Sequence, residues 1–435
     1  MFCLAAHQPV GGSCWHRRNV RHALFRNSSA LASPSSRVSK AEPHPARLDH
    51  RKVLCSSSVE AVTSTEPGLV FTAGDSECWD EGGVGSPVVS CFVGDNEQRW
   101  FMWYSGWKET KPIHSVLPSS GSVGVACSSD GVNWERVQIS DNGPAQKGSA
   151  IQANEDWWTF DTCHLAASDV QILSNSSVSD GIGVYWMFYS GGSFEDAVAP
   201  NNMPGVREGE KIEGLRMRPG LAMSQNGYNW ARIEGAHYTG ALFEEDPDEK
   251  DWDELFGACP QVVNAGPRDL RMYYHSFDKN KGRYVIGLAK SKDGFEWKKS
   301  GPVLSGGEDS EFDGKGVASP FVTKDVDSGK FLMFYEAVDS KNERSVGLAV
   351  SDDGLMNWNR HPRPVLSKSG GSGWDCGSIG SPWAVSMAGG RWRLYYAARK
   401  DATGSWDGIG LALSVTDGET FEGIATEFKR RTGKS

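Results

Sequence analysis

The chain has 435 residues and a formal net charge of −10. Residues 1–55 carry nine Lys or Arg against two acidic residues, a balance of +7 that leaves −17 for the remainder. So acidic a remainder argues against nucleic acid or an anionic membrane as partner, and no apolar run approaches the roughly 18 residues of a membrane span.

Residues 1–55 are basic, rich in Ser and nearly free of acidic residues, which is typical of a transit peptide. Cys55, followed by three serines, resembles a chloroplast processing site. We therefore expect a linker at 56–66, a mature chain that begins near 56–60, and a location in the chloroplast stroma. A mitochondrial address is the alternative. A secretory signal is not favoured, because no continuous apolar stretch follows the early charges.

The six cysteines beyond Cys55 are scattered, with no CxxC pair and no histidine at metal-ligand spacing. We expect reduced and mostly packed thiols, in keeping with a reducing compartment. The sequence predicts neither a metal nor another cofactor.

The rest of the chain consists of five copies of one unit, each of which begins with an aromatic residue and an Asp. These pairs are Trp79 and Asp80, Phe160 and Asp161, Trp252 and Asp253, Phe312 and Asp313, and Trp374 and Asp375. Four copies have a Pro seven positions after the Asp, and Ser168 is the exception. What every copy shares is needed by the unit itself, so we interpret the five Asp residues as structural, in turns or as caps of backbone groups.

Short runs of aromatic and β-branched residues between turn signals predict strands in every copy. In the fourth copy the predicted strands are Val317–Thr323, Phe331–Glu336, Ser345–Ser351 and Pro364–Leu366. A four-stranded antiparallel unit used five times describes a propeller. The predicted fold is therefore an all-β, five-bladed β-propeller over residues 67–421, with residues 422–435 as a C-terminal tail.

The fourth-strand sequence predicts how the array ends. Pro-Val-Leu occurs at 302–304 and 364–366, but nothing similar follows Phe421. A matching stretch, 68–71, lies before the first copy instead. We therefore expect the N-terminal strand to complete the last blade and close the ring, which removes two exposed sheet edges.

Two copies of the repeat carry insertions. The closing aromatics lie 96 residues apart from Trp134 to Trp230, but 67, 61 and 63 residues apart in the later intervals. The extra residues of the second copy fall chiefly at 140–157 and 191–217, and the first copy has a smaller insertion at 107–120. Loops of this length are usually functional when they are ordered. The insertions at 107–120 and 191–217 follow second strands, so we expect both to emerge on one face.

The blade number, the displaced strand and the aromatic second strand resemble the five-bladed propeller superfamily of arabinanases, levansucrases and invertases, which contains glycoside hydrolase families 43, 32 and 68. The resemblance covers residues 68–421. It implies three carboxylates at the axial mouth: an Asp in an Asp-Pro pair on the first blade, a second Asp in a similar setting, and a Glu that acts as acid. In this chain the five residues at the position before the strand Pro are Ser86, Ala167, Cys259, Ser319 and Ser381. Either the chemistry has moved to neighbouring positions, or the protein no longer hydrolyses glycosides.

Positions that differ between copies supply the catalytic candidates. Glu81 and Glu254 follow the repeated Asp, Glu336 ends a second strand, and Asp169 stands where the other copies have Val88, Gln261, Phe321 and Trp383. Glycosidic cleavage needs one carboxylic acid with a raised pKa and a second, ionised carboxylate. Glu336 is the best candidate, because the apolar strand before it predicts partial burial. The competing interpretation is that these residues are solvated surface carboxylates.

Two histidines, four tryptophans and one arginine are further candidates for binding the substrate. His164 and His275 are predicted partners of the carboxylates, or else packing histidines. Trp107 and three other tryptophans outside the repeat, at 157, 158 and 406, can stack against sugar rings. Arg399 can bind a carboxylate or phosphate of a ligand, but a surface ion pair is the favoured explanation.

Two functions fit these patterns. The first is a hydrolase or transferase that acts on an oligosaccharide through acid and base chemistry at the axis. The second is a non-catalytic propeller that binds a glycan or a protein in the stroma, which the missing Asp-Pro pairs favour.

Overall fold

The computed structural model describes residues 66–93, 98–108, 114, 116–117, 120–139, 148–173, 183–207, 209–243, 252–402 and 406–432. Within these ranges the regular elements are all β-strands, and no helix there could cross a membrane. The predicted transit peptide, 1–55, lies outside the described residues, as does the linker 56–66 except for Glu66.

Strand β1 (Leu69–Thr72) precedes five units that follow the repeat of the sequence. Unit one contains β2 (Gly83–Val93), β3 (Gln98–Trp107), β4 (Ser122–Ser128), β5 (Glu135–Arg136) and β6 (Ser149–Ile151). Unit two contains β7 (His164–Leu173), β8 (Val184–Gly192), β9 (Met217–Ser224) and β10 (Ala231–Ile233). Unit three contains β11 (Ala258–Gly266), β12 (Asp269–Asp278), β13 (Arg283–Ser291) and β14 (Lys298–Leu304).

Unit four contains β15 (Gly316–Lys324), β16 (Phe331–Val338), β17 (Arg344–Ser351), β18 (Asn359–Arg360) and β19 (Leu366–Ser367). Unit five contains β20 (Ser378–Met387), β21 (Arg391–Arg399) and β22 (Gly408–Ser414), followed by β23 (Thr420–Phe421), β24 (Ile424–Ala425) and β25 (Phe428–Arg430). Strands pair antiparallel inside each unit, and a single parallel bridge, Tyr284 with Gly316, joins units three and four.

The strand predictions for unit four hold for three strands to within two residues, whereas the fourth strand is divided into β18 and β19. The reason lies in the sequence between them, which contains Pro362 and Pro364. Proline has no N–H to donate to the ladder, so pairing with β17 is interrupted there.

Both ends of the repeat region join unit five. β1 pairs with β22 over Gly408 to Gly410, as the displaced strand sequence predicted. β25 pairs with the following residues, Ala412 to Ser414. The segment assigned from sequence to a C-terminal tail therefore contributes a strand to this unit.

The five repeated Asp residues are buried and bind the same two groups in every unit. Each accepts a hydrogen bond from the Tyr near the end of the second strand and pairs with a cation from the fourth-strand region. The sets are Asp80, Tyr104 and Arg136; Asp161, Tyr189 and Arg232; Asp253, Tyr274 and Lys299; Asp313, Tyr335 and Arg360; and Asp375, Tyr396 and Arg430. The structural interpretation of these Asp residues is confirmed, although they bind mainly side chains and not turn backbone.

A variant that lacks one of these Tyr hydroxyls should show how much the hydrogen bond to the Asp contributes to stability. In Tyr335→Phe the hydroxyl that donates to Asp313 at 3.0 Å is lost. A hydrogen bond to a charged acceptor is worth about 1.5–3 kcal/mol, so we expect the free energy of unfolding to fall by that amount in urea titrations. Tyr395→Phe is the matched control, because Tyr395 donates to the neutral carbonyl of Gly131 and should cost about 1 kcal/mol. An equal loss in both variants would contradict this role of Asp313.

The first strands of successive units pack against one another in the order β2, β7, β11, β15 and β20, and β20 also packs against β2. Side chains reinforce the contact between units five and one: the indole N–H of Trp383 donates to the carbonyl of Val89 at 2.7 Å, and Tyr395 reaches Gly131. The starts of these strands bring residues of different units together, and the candidate site residues other than Asp169 lie at or next to this end.

Candidate functional site

The described parts of the two insertions form a cap at the strand starts. Val116 and Leu117 from unit one pack with Ala197, Met203 and Ile212 from unit two in one apolar cluster. His114 also lies 3.3 Å from Glu210 through Nε2 and Oε1. The two insertions therefore share one face, as predicted from their positions after second strands.

The cap extends over units three and four. The same apolar cluster contains Phe256, Phe277 and Tyr284 of unit three and Val338 of unit four. The side chain of Asn202 donates to the carbonyl of Lys279 at 3.0 Å. The ring of Tyr284 also contacts that of His275, with centroids 6.2 Å apart, so the cap reaches the polar residues at these strand starts.

A buried polar group, which we call the central cluster, lies under the cap. It consists of His275, Tyr284, Glu336, Arg344 and Arg399, each between 2% and 8% exposed. Glu336 forms an ion pair with Arg344, and its other oxygen accepts the backbone N–H of Ser381 at 3.1 Å. Glu336 is therefore more deeply buried than the sequence predicted, and both of its oxygens are bound by the protein.

Gly380 explains how Glu336 reaches the next unit. A Cβ at this position would lie 2.3 Å from Glu336 Oε2, so a larger residue would displace the carboxylate from Ser381. A glycine next to Ser381 thus permits the bond between units four and five.

His275 is also bound by the neighbouring unit. Its Nδ1 accepts the backbone N–H of Ser319 at 3.3 Å, which requires the proton of the neutral ring to be on Nε2. Burial, followed by the nearby charge of Arg344, lowers the pKa of His275 to about 3. His275 is therefore neutral at physiological pH, and its Nδ1 lone pair is already used.

These bonds belong to a repeated pattern that sequence comparison of the units did not reveal. The residue before the first-strand Pro has a φ between 44° and 52° in four units, at Ser86, Cys259, Ser319 and Ser381. In three of these residues the backbone N–H donates to the end of the preceding second strand, where the acceptors are Ser190, His275 and Glu336. Different side chains thus perform one structural task, the linkage of successive units. A catalytic role for Glu336 stays a prediction.

Asp169 lies between units two and three. Its Oδ2 accepts the backbone N–H of Val262 at 2.9 Å and the side-chain amide of Gln171 at 2.8 Å. Burial raises the pKa of Asp169 to about 7, against these hydrogen bonds, which lower it. Gln261 occupies the same position in unit three and accepts the N–H of Val322 at 2.9 Å, so this position also links units.

The other two carboxylate candidates lie apart from the central cluster. Glu254 forms an ion pair with Lys279 at 2.6 Å and is partly buried in unit three. Glu81 lies in the turn before β2, half-buried and without an ion pair or hydrogen bond of its carboxylate among the described residues. No pair of the four candidates, Glu81, Asp169, Glu254 and Glu336, makes a direct contact in the described part of the chain.

Arg399 is buried on the indole of Trp406, with its guanidinium carbon 4.7 Å from the ring centroid. Burial, together with the charge of Arg344, lowers the pKa of Arg399 to about 10. The alternative of a surface ion pair is wrong, because the side chain is only 3% exposed.

Trp107 and His164, by contrast, line one open cavity. The cavity has a volume of about 750 Å³ and lies between units one and two beneath the insertions. It is also lined by Gln152, Asn154, Glu155, Phe194, Lys211 and Glu213. Aromatic and hydrogen-bonding side chains in a concave site of this size are typical of small-ligand pockets.

Both of these lining residues contain a buried polar atom without a partner among the described residues. His164 Nε2 donates to the carbonyl of Gly214 at 3.1 Å, and burial lowers its pKa to about 4, so Nδ1 is a hydrogen-bond acceptor at neutral pH. Neither this Nδ1 nor the indole N–H of Trp107 has a partner among the described residues. The two residues line the cavity, but these two atoms are themselves buried, so a ligand in the cavity reaches them only after the side chains shift.

The described residues form a second cavity but no cluster of metal ligands. A second cavity of about 670 Å³ lies beside unit five and is lined by Cys376, Lys400 and Asp407, but by none of the predicted site residues. Groups of three or more His, Cys, Asp or Glu that could hold a metal ion are not found in the described ranges.

Comparison with known proteins identifies relatives of the fold only. No family model matches the sequence, and neither does any curated protein. Among solved structures, the chain is similar to an N-acetylgalactosamine deacetylase from F. plautii in complex with blood group B trisaccharide, with a TM-score of 0.52, 16% identity, and coverage of 80% of this chain and 94% of that one.

A glycosyl hydrolase from Bacteroides ovatus matches with a TM-score of 0.51 and 14% identity, over 86% of this chain and 95% of that one. A structure from the GH130 family of mannoside phosphorylases, described as containing glycoside hydrolases that target β-1,2 mannosidic linkages in Candida mannan, matches with a TM-score of 0.51 and 12% identity, over 83% of this chain and 97% of that one. The resemblance to propeller glycosidases that the sequence indicated is confirmed at the level of the fold.

Proposed function

We propose that this protein is a five-bladed β-propeller that binds a neutral carbohydrate in the cavity between units one and two. The observation that carries the proposal is that two side chains lining the cavity contain buried, unpaired atoms, the Trp107 N–H and the His164 Nδ1. The proposal includes a small shift of both side chains that exposes these atoms to the ligand. Sugar hydroxyls both donate and accept hydrogen bonds, so the hydroxyls of one ligand can satisfy a donor and an acceptor. Burial of two unpaired polar atoms costs stability, and a ligand that pairs with them recovers this loss on binding.

The closed ring is part of the proposal. It is supported by the contact of β20 with β2, by the pairing of β1 with β22, and by the bond from Trp383 to Val89. In such a ring the central cluster lies on the axis and holds the blades together, while the ligand binds beside it. The similar structures named above include carbohydrate-active proteins, which agrees with a carbohydrate ligand. The chloroplast stroma stays the predicted location.

Binding should depend on the indole N–H of Trp107. We expect Trp107→Phe to weaken binding of the preferred oligosaccharide roughly tenfold, because one hydrogen bond is lost while the ring remains. The measurement is isothermal titration with arabino-, xylo-, manno- and fructo-oligosaccharides. Trp134→Phe is a matched control: its N–H is also buried and unpaired among the described residues, but Trp134 does not line the cavity. Equal affinity of both variants and the wild-type protein would contradict the proposal.

Hydrolysis by a pair of carboxylates is the second candidate function. The raised pKa of Asp169, about 7, suits a general acid. The bonds that Asp169 and Glu336 make to neighbouring units count against it. Turnover of aryl arabinosides, xylosides, fructans or mannosides that is lost in Glu336→Gln, with the fold intact, would favour hydrolysis.

A further inference from the structure

We propose that a carbohydrate chain held in the cavity continues over an exposed aromatic patch on unit two, formed by Trp157, Trp158 and Tyr238. This inference rests on the proposed function, because the cavity supplies the first sugar subsites. The patch would extend the binding site beyond the cavity. The protein would then prefer oligosaccharides to single sugars.

The three residues of the patch are exposed to solvent, unlike most other large aromatic residues of the described chain. The aromatic residues of the repeat are mostly buried, whereas Trp157, Trp158 and Tyr238 are 89%, 40% and 80% exposed. They lie in two turns that are joined by a hydrogen bond from the backbone N–H of Phe160 to the carbonyl of Thr239, at 3.3 Å. Exposed aromatic residues that gather in adjoining turns mark a binding surface, in contrast to scattered single ones.

The turn that carries both tryptophans begins in the cavity wall. Asn154 and Glu155 line the cavity, and Trp157 follows two residues later. Side chains hold the turn: Asn154 Oδ1 accepts the N–H of Asp156 at 3.2 Å, and Thr159 Oγ1 donates to the carbonyl of Asp156 at 3.0 Å. A chain that leaves the cavity on this side therefore meets aromatic rings.

The size of the patch favours a carbohydrate over a protein. Each large aromatic side chain buries about 150–250 Å² at most, so the exposed fractions of these three amount to roughly 500 Å² or less. A stable protein interface buries about 800 Å² on each partner. Sugar rings need less area, because the apolar face of one ring stacks on one aromatic side chain. Phe194, 59% exposed at the cavity rim, adds a further ring.

The test compares short and long ligands of whichever oligosaccharide series the protein binds, by isothermal titration. We expect a hexasaccharide to bind the wild-type protein at least about tenfold more tightly than the disaccharide, which is about 1.4 kcal/mol. A double variant, Trp157→Ala with Tyr238→Ala, should bind the disaccharide as the wild-type protein does and should lose this gain. Both residues are exposed, so the fold should not change. Met356→Ala, at a side chain 63% exposed in unit four, is the control and should keep the gain.

The outcomes separate the two proposals. A gain with length that persists in the double variant, or no gain in the wild-type protein, would overturn the extended site and leave sugar binding in the cavity intact. If the wild-type protein binds neither the disaccharide nor the hexasaccharide of any series, the proposed function fails and the extended site fails with it.

Discussion

Glu336→Ala is expected to lower the free energy of unfolding by about 3–5 kcal/mol at pH 7. The substitution leaves Arg344, which is only 8% exposed, without its carboxylate partner. It also leaves the backbone N–H of Ser381 without its acceptor. An unpaired buried charge is among the most destabilising defects that a single substitution can create. Urea denaturation monitored by tryptophan fluorescence measures the loss.

Removal of both charges provides the control. Glu336→Met combined with Arg344→Met should recover much of the lost stability, because no charge is then left buried without a partner. The Ser381 N–H still lacks an acceptor in this variant, so the recovery should be incomplete. A Glu336→Ala protein as stable as the wild type would show that the central cluster does not hold the units together.

Asp169 should make stability depend on pH between about 4 and 7. Its pKa in the folded protein, about 7, lies above the ordinary 3.8 of an unfolded chain. The folded state therefore keeps its proton to higher pH. The resulting stabilisation is fully present below pH 3.8, falls as the pH rises, and is lost once the pH has passed through about 7. A difference of roughly three pKa units corresponds to about 4 kcal/mol.

Asp169→Asn isolates this effect, because other groups also titrate in the same range. We expect the stability difference between wild type and variant to change by about 4 kcal/mol from pH 4 to pH 7.5, with the wild type losing stability relative to the variant. Asp352→Asn, at a side chain that is 89% exposed, should show no such change. Parallel pH profiles of Asp169→Asn and wild type would mean that Asp169 has an ordinary pKa.

The fold could be predicted from the repeat because each unit has the same hydrophobic pattern and the same buried Asp. The aromatic strand, the Asp and the turn recur in register, so five equivalent units and the N-terminal strand of unit five could be predicted. The cations that pair with each Asp were missed, although Arg136, Arg232, Lys299 and Arg360 recur 46 to 71 residues after their Asp. β25 was missed because its sequence is polar, yet Arg430 supplies the fifth cation.

The site was harder to predict because a residue that differs between units need not be functional. Different side chains can also perform the same structural task in different units. Glu336 and His275 differ in sequence from Ser190, yet all three accept the same kind of backbone N–H. Arg344 was not predicted at all; the only available signal was a cation at the start of an otherwise apolar third strand. Trp107 was predicted as a binding residue because it lies outside the repeat, and His164 because its position differs between copies; the structure brings both to one cavity. Their unpaired atoms depend on side-chain packing, which no pattern in the sequence reports.

The most direct test of this account is the affinity of Trp107→Phe and Glu336→Gln for the best oligosaccharide ligand, measured side by side by isothermal titration. We predict that Trp107→Phe weakens binding roughly tenfold, while Glu336→Gln stays within about twofold of the wild type. Gln has the shape of Glu and can still accept the N–H of Ser381. The opposite result, with binding lost in a folded Glu336→Gln protein and retained in Trp107→Phe, would place the carbohydrate at the central cluster and contradict the account.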